Sequence, residues 1–212
     1  NDGLYVFGLK AVDNAGNMSS SYRYGDGITI DTVNPTFTIQ YYSDSALTTT
    51  IANNARLKAG TYYLKITSSE ALQNVPTVSI GAEGTANDIN STTTTLISGN
   101  DYKLTRTIAN DANAVGSVLE DVSITGVDTA GNTATNADPT NEATKAAYTD
   151  TTPPGVTITP KTTSDTTPSL SGTVTGVDNA TTVISVNVNG VNYSATNNVN
   201  GTWSANITNI LP

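Results

Sequence analysis

The chain has 212 residues, 9 basic and 18 acidic side chains, a net charge of −9, and neither His nor Cys. Those absences remove disulfides, thiolate or imidazole metal sites, Cys nucleophiles and His bases. The acidic balance argues against nucleic acid, which needs a basic footprint. With 13% charged and 6% aromatic residues, the composition suits an extracellular β-protein with a hydroxyl- and amide-covered surface.

Short alternating runs recur along the chain, and period-two alternation marks half-buried strands. In Gly3–Asp13 the residues Tyr5, Phe7, Leu9 and Ala11 share a face. Thr36–Tyr41 is the next candidate, then Gly60–Glu70 with Tyr62, Leu64, Ile66 and Ser68 on one face, Thr77–Ile80 and Tyr102–Ile108. Val118–Asp128 follows, with Val122, Ile124 and Gly126 on one face. Ala143–Tyr148, Val156–Thr159, Ser169–Thr175, Val183–Val188, Val191–Ser194 and Thr202–Ile207 complete the series. Gly, Asn and Asp separate most of these runs, as turns require. Many short strands at this spacing predict an all-β sandwich of immunoglobulin type. No apolar run approaches the ~20 residues of a membrane span, so membrane insertion is not expected.

A repeat organises these parts. Asp13-Asn14-Ala15-Gly16-Asn17 returns 115 positions later as Asp128-Thr129-Ala130-Gly131-Asn132, and Asp31-Thr32-Val33-Asn34-Pro35 returns 119 positions later as Asp150-Thr151-Thr152-Pro153-Pro154. The unit is a strand, a DxAGN turn, a last strand and a DTxxP linker. Three regions follow: 1–35, the last strands of one domain; 36–152, a complete domain; and 153–212, the first strands of a further one. Placing Pro212 before Asn1 makes a continuous strand–turn–strand passage and a joined unit of 95 residues. That fits a chain cut in mid-domain from a longer array, or a subunit whose split halves pair head-to-tail.

The turn and linker resemble the bacterial immunoglobulin-like (Big) tandem repeats of giant extracellular adhesins and biofilm matrix proteins. Ser164–Val174 resembles the opening strands of one subfamily, Val186-Asn187-Val188-Asn189-Gly190-Val191-Asn192-Tyr193 its central hairpin, and Asn200-Gly201-Thr202-Trp203-Ser204 its GTW strand. Residues 60–72, with Glu70 after the strand, resemble the strand-then-Ser-Glu segment of a sister subfamily. The resemblance implies tandem Greek-key sandwiches at the cell surface or in a secreted matrix, acting as a stalk or spacer, with neighbouring repeats as partners and calcium at the junctions.

The residues carry a bland explanation beside each sharper one. In DxAGN the Asp closes an Asx turn and the Gly takes a left-handed conformation. Calcium needs six to eight oxygens, and Asp13, Asp31, Asp128 and Asp150 are the candidate junctional ligands. The prolines make the linkers short and semi-rigid. Trp203, Tyr5, Phe7 and Tyr62 are assigned to the core, and Tyr5 and Tyr62 to tyrosine-corner bonds. Tyr41, Tyr42, Tyr22 and Tyr24 are assigned to the surface. Lys65 and Lys10 fall on outer faces, which disfavours an isopeptide bond. No nucleophile elbow, P-loop or dinucleotide turn is present, so no enzyme is expected. Against the stalk stand a filament subunit polymerising by strand complementation and an accessory carbohydrate-binding module using Tyr41 or Tyr42.

Overall fold

The computed structural model describes residues 2–82, 85–111, 116–176, 183–198 and 200–209. Asn1 and residues 210–212, where the two chain ends would join, lie outside them. No helix among the described residues is long and apolar enough to cross a membrane.

The first 35 residues form two small ribbons. β1 (Gly3–Tyr5) and β2 (Gly8–Leu9) are followed by β3 (Arg23–Tyr24) and β4 (Ile28–Ile30). β1 pairs with β4 and β2 with β3, both antiparallel. Tyr5 and Phe7, expected in a core, are exposed here, as are Leu4, Leu9, Ile28 and Ile30. The alternation is real, but no second layer covers its apolar side among the described residues.

Residues 37–149 fold around one core. In order come β5 (Phe37–Tyr42), β6 (Ala55–Leu57), β7 (Gly60–Ser68), β8 (Thr77–Gly81), β9 (Ile89–Thr93), β10 (Thr95–Ser98), β11 (Asp101–Ile108), β12 (Val118–Leu119), β13 (Asp121–Val127), β14 (Thr133–Ala137), α1 (Glu142–Lys145) and β15 (Ala147–Thr149). One sheet runs β10-β11-β7-β5 and the facing one β14-β13-β8-β9, while β12-β15-β6 forms a third, smaller sheet. The inward faces meet through Phe37, Ile39, Leu64, Ile66 and Leu104 from the first sheet and Val78, Ile80, Val122 and Ile124 from the second. This is an all-β sandwich, as the alternation requires.

The segment expected as a strand over Ala143–Tyr148 begins instead as the single helical turn α1. The preceding Asn141 explains the difference. Its Oδ1 accepts from Ile39 N–H at 2.8 Å and its Nδ2 donates to the Ile39 carbonyl at 2.8 Å. One side-chain amide thus covers the edge of β5, where a strand would otherwise dock. Glu142 then accepts from Val122 N–H at 2.9 Å, tying the turn to the opposite sheet.

A charged cluster sits inside this apolar core. Arg106 occupies an inward position of β11 and donates to Glu120 Oε1 through Nε at 2.9 Å and Nη2 at 2.7 Å. Tyr41, expected at the surface, is buried instead: its hydroxyl donates to Glu120 Oε2 at 2.6 Å, and Thr149 Oγ1 donates to Oε1 at 2.7 Å. The glutamate's acceptor capacity is therefore filled from three strands, the condition under which a buried ion pair is tolerated. Burial, then the neighbouring Glu120 charge, pushes the Tyr41 hydroxyl well above its ordinary pKa. Tyr62 packs at the edge of the core and donates to the Lys58 carbonyl at 3.0 Å, a tyrosine-corner type bond. Lys65 faces outward and pairs with Asp101 at 2.8 Å.

The remaining residues form one five-stranded sheet, in the order β16-β17-β20-β19-β18, from β16 (Gly155–Val156), β17 (Ser169–Thr175), β18 (Ile184–Val188), β19 (Val191–Asn197) and β20 (Thr202–Asn206). Asn189 (φ 48°) and Gly190 (φ 86°) form the two-residue turn between β18 and β19. Trp203 is buried with Val174, Ile184 and Ala205, and its Nε1 donates to the Thr157 carbonyl at 2.9 Å. Gly172 makes that approach possible, because a Cβ there would overlap the Thr157 oxygen.

Breaking the buried pair leaves an uncompensated charge, so Arg106→Ala should cost about 3–5 kcal/mol. Trp203 is the only Trp and lies in a different apolar cluster. Urea unfolding should therefore show the loss by far-UV circular dichroism, with an unchanged transition in Trp fluorescence.

Candidate acidic site at the linker and DxAGN turn

The two DxAGN turns have the same geometry. Asp13 N–H donates to the Asn17 carbonyl at 3.0 Å, and Asp128 N–H to the Asn132 carbonyl at 3.0 Å. The Asp13 carboxylate accepts from Asn17 N–H at 2.8 Å and Asn17 Nδ2 at 2.8 Å, and the Asp128 carboxylate from Asn132 N–H and Nδ2, both at 2.8 Å. Gly16 (φ 89°) and Gly131 (φ 102°) both take the left-handed conformation. The strand register repeats as well. Gly3 faces Ile30 as Val118 faces Thr149, and Val12 faces Met18 as Val127 faces Thr133. These equivalences are the 115- and 119-residue offsets realised in three dimensions.

The second turn does more than close a hairpin. Asn132 Nδ2 also donates to the Asp31 carbonyl at 3.0 Å, so the turn grips the preceding linker. The loop after β7 is held between the two. Ser69 Oγ accepts from Thr36 N–H at 3.0 Å, Ser69 N–H donates to the Thr36 carbonyl at 2.9 Å, and Gln73 N–H donates to the Val127 carbonyl at 2.9 Å.

Three carboxylates converge as a result. Oxygens of Asp31, Glu70 and Asp128 lie within 4.8 Å of one another, with Asp128 buried and the other two half-buried. Of the four Asp residues expected to hold calcium, the structure brings together Asp31 and Asp128 and adds Glu70. Asp13 lies apart in its own exposed turn, and Asp150 accepts from Thr152 N–H at 3.3 Å, as Asp31 accepts from Val33 N–H at 3.1 Å. The contact joins the segment at Asp31 to the DxAGN turn at Asp128, 97 positions later. Glu70 carried a weak signal in the Ser-Glu segment after β7, but its partners are 39 and 58 positions away.

The electrostatics are unbalanced. Burial, then the charges of Asp31 and Asp128, raises the Glu70 carboxyl above its ordinary range, and a hydrogen bond with Asp31 adds to this. Burial also acts upward on Asp128, but donors from Asn132, Gly131 and Ala130 carry its carboxyl below the usual range. Among the described residues the two ion pairs, Lys65–Asp101 and Arg106–Glu120, lie elsewhere. The donor set fits a hard divalent cation. Oxygens on one calcium can be at most about 5 Å apart, twice a 2.3–2.6 Å bond, and carboxylates are its preferred ligands.

Compared with known proteins, the chain matches no family model and no curated protein sequence.

The sign of the Glu70 effect is testable. A carboxyl whose folded pKa is raised holds its proton more tightly when folded, so its contribution to stability falls as pH rises through that raised value. In chelator, Glu70→Gln should raise the melting temperature at neutral pH. The gain should vanish below the ordinary carboxylate range, where Glu70 is already protonated. A variant no more stable than the parent at neutral pH would refute the repulsion.

Proposed function

We propose that the chain is a stalk or spacer segment of an extracellular adhesin or matrix protein, built from tandem immunoglobulin-like sandwiches whose junctions are stiffened by a divalent cation. The observation that carries this is the convergence of Asp31, Glu70 and Asp128 at the point where a linker enters the next sandwich. A cation there would join the linker, the loop after β7 and the DxAGN turn. It would relieve the repulsion among three carboxylates and remove the freedom of a short Pro-ended connection. The residues 36–152 then act as one domain, with 1–35 and 153–212 as parts of its neighbours. The role is mechanical, not catalytic: a chain that must transmit extension needs stiff joints and has no use for a hinge.

The sparse charge and Cys-free composition support the same reading. Such a domain folds by core burial, without an oxidising step, and its net negative surface resists self-association along a long array. The carbohydrate-module alternative, which used Tyr41 or Tyr42, loses the first of them, since the Tyr41 ring is buried and its hydroxyl is bound to Glu120.

Two cysteines introduced on either side of the linker, Ser20→Cys and Thr48→Cys, allow spin labels in a chain with no native Cys. The label–label distances should narrow on adding millimolar calcium and broaden in chelator. The melting temperature should rise by several degrees, since saturation at one hundred times the dissociation constant is worth about 2.7 kcal/mol. Glu70→Gln should abolish both responses. Distances that stay broad at all calcium concentrations would overturn the stiffened junction.

A further inference from the structure

The sandwich of residues 37–149 meets its two connections at opposite poles. Phe37, just after Thr36, lies opposite Ser68, the last residue of β7. Asp150 N–H donates to the Leu57 carbonyl at 2.9 Å, close before β7 begins at Gly60. β7 has nine residues, which at ~3.3 Å each set the poles roughly 30 Å apart. β6 leads into β7 at the second pole, and β15 lies parallel to β6, with Ala147 opposite Ala55 and Thr149 opposite Leu57. Tension between residues 36 and 150 therefore draws β5 and β15 outward along their own axes, in opposite directions. Ladder hydrogen bonds lie across the strands. A lengthwise pull loads all the bonds of a strand at once, whereas a crosswise pull opens them one by one.

Both loaded strands are gripped on two edges. β5 pairs with β7 on one side. On the other, the Phe37 carbonyl accepts from Thr140 N–H at 2.8 Å, Ile39 is held by the Asn141 amide, and the Tyr41 carbonyl accepts from Ile51 N–H at 2.9 Å. β15 is the middle strand of its sheet, between β12 and β6. The Ala146 carbonyl accepts from Asn54 N–H at 2.8 Å and the Ala147 carbonyl from Glu120 N–H at 2.9 Å. The two strands then meet at one side chain. Tyr41 of β5 donates to one oxygen of Glu120 and Thr149 of β15 to the other, while Arg106 of β11 anchors the carboxylate with two bonds. We propose that the Glu120–Arg106 pair is a load-bearing clamp. It ties the first strand of the domain to the last, so that residues 37–149 resist extension along the 36–150 direction more than in a direction that peels an edge. Neither strand can slide without taking its hydroxyl from a buried carboxylate that no water reaches to replace it. Apolar burial is non-directional and supplies no such preference. The direction of load rests on the stalk reading, while the clamp rests on strand geometry and not on the cation.

Single-molecule force spectroscopy of the full chain tests this, because forced unfolding reads the rate of rupture and not the equilibrium stability. Held by its two ends, the chain loads residues 37–149 lengthwise. Their rupture appears as a step of roughly 350 Å, the extended length of those residues less their folded span. Thr36→Cys with Ser98→Cys, both exposed and in a chain with no native Cys, gives handles at one pole on the two edge strands of the sheet β10-β11-β7-β5. Pulling there loads that sheet crosswise, and rupture should need a lower force at every loading rate. Thr149→Val should speed lengthwise rupture about tenfold or more, the loss of one hydrogen bond to a charged group, and change crosswise rupture by no more than about twofold. Tyr41→Phe, a second variant that keeps the ring, should repeat the lengthwise effect. Val78→Ala, on a strand that neither geometry pulls, should speed both alike. A parent chain that ruptures at the same force in both directions would overturn the clamp. So would a Thr149→Val that speeds both directions equally, or two variants that leave lengthwise rupture unchanged. A directional chain whose linker distances ignore calcium supports the clamp and overturns the stiffened junction; a chain without direction whose distances narrow with calcium overturns the clamp alone.

Discussion

The Asp128 carboxylate is the point on which the junction is built. It is fully buried, and it draws in Gly131 N–H at 2.7 Å, Asn132 N–H at 2.8 Å and Asn132 Nδ2 at 2.8 Å. A buried carboxylate without such donors would be protonated or would pull the loop open. With them, the turn is rigid and the Asn132 amide is held at a fixed angle. The second proton of that amide is then free for the Asp31 carbonyl, which places a linker outside the sandwich by a bond made inside it. Everything at the junction follows: Asp31 is delivered to Glu70 because Asn132 holds its backbone, and the three like charges meet because two of them are fixed by hydrogen bonds that do not depend on their mutual repulsion.

A second polar centre answers a different need. The core of residues 37–149 is made largely of Ile, Leu, Val and Phe from two facing sheets, and such cores tolerate register slips between β-strands that keep the inward pattern. The Arg106–Glu120 pair admits no slip. Shifting β11 by two residues would move Arg106 away from the carboxylate and bury both charges alone, a penalty of several kcal/mol. Tyr41 from β5 and Thr149 from β15 bind the same glutamate, so the registers of separate strands are fixed at one atom group. Stability here rests on apolar burial, and uniqueness is added by the charges.

The layers of this fold were legible because period-two patterning depends only on which face meets the core, and Leu64, Ile66, Val122 and Ile124 obey it. Turns were legible where a conformation demanded a residue type, as at Gly131 and at Asn189-Gly190. Long-range polar contacts were not. Arg106 sits at an inward position whose residue type argues for the surface, and only Glu120, 14 residues on, makes it acceptable. The burial of Tyr41 follows from the same glutamate. Asn141 reads as a loop residue, while its work is to satisfy the edge of a strand about 100 residues earlier. At the acidic site two of the three carboxylates could be named from the repeat, but the repeat marks equivalent positions and cannot say which copies touch. By the repeat alone Asp128 is equally placed to meet the Asp150 after it or the Asp31 before it, and the structure brings it to Asp31.

That ambiguity of direction has a structural meaning. In a periodic chain each linker could be bonded to the turn behind it or to the turn ahead. Bonding backward would close each unit on itself and leave the connection to the next unit loose. Asn132 bonds the other way, to the Asp31 carbonyl that precedes its sandwich; in the tandem array proposed above, the same bond in every unit would pass order along the array one joint at a time. A carboxylate cluster placed at that forward contact is tight only when both neighbours are folded and in place. In the proposed array the charge balance of the joint would therefore depend on the neighbour, and a cation that neutralises the cluster would act on the spacing between units, not on the core of either.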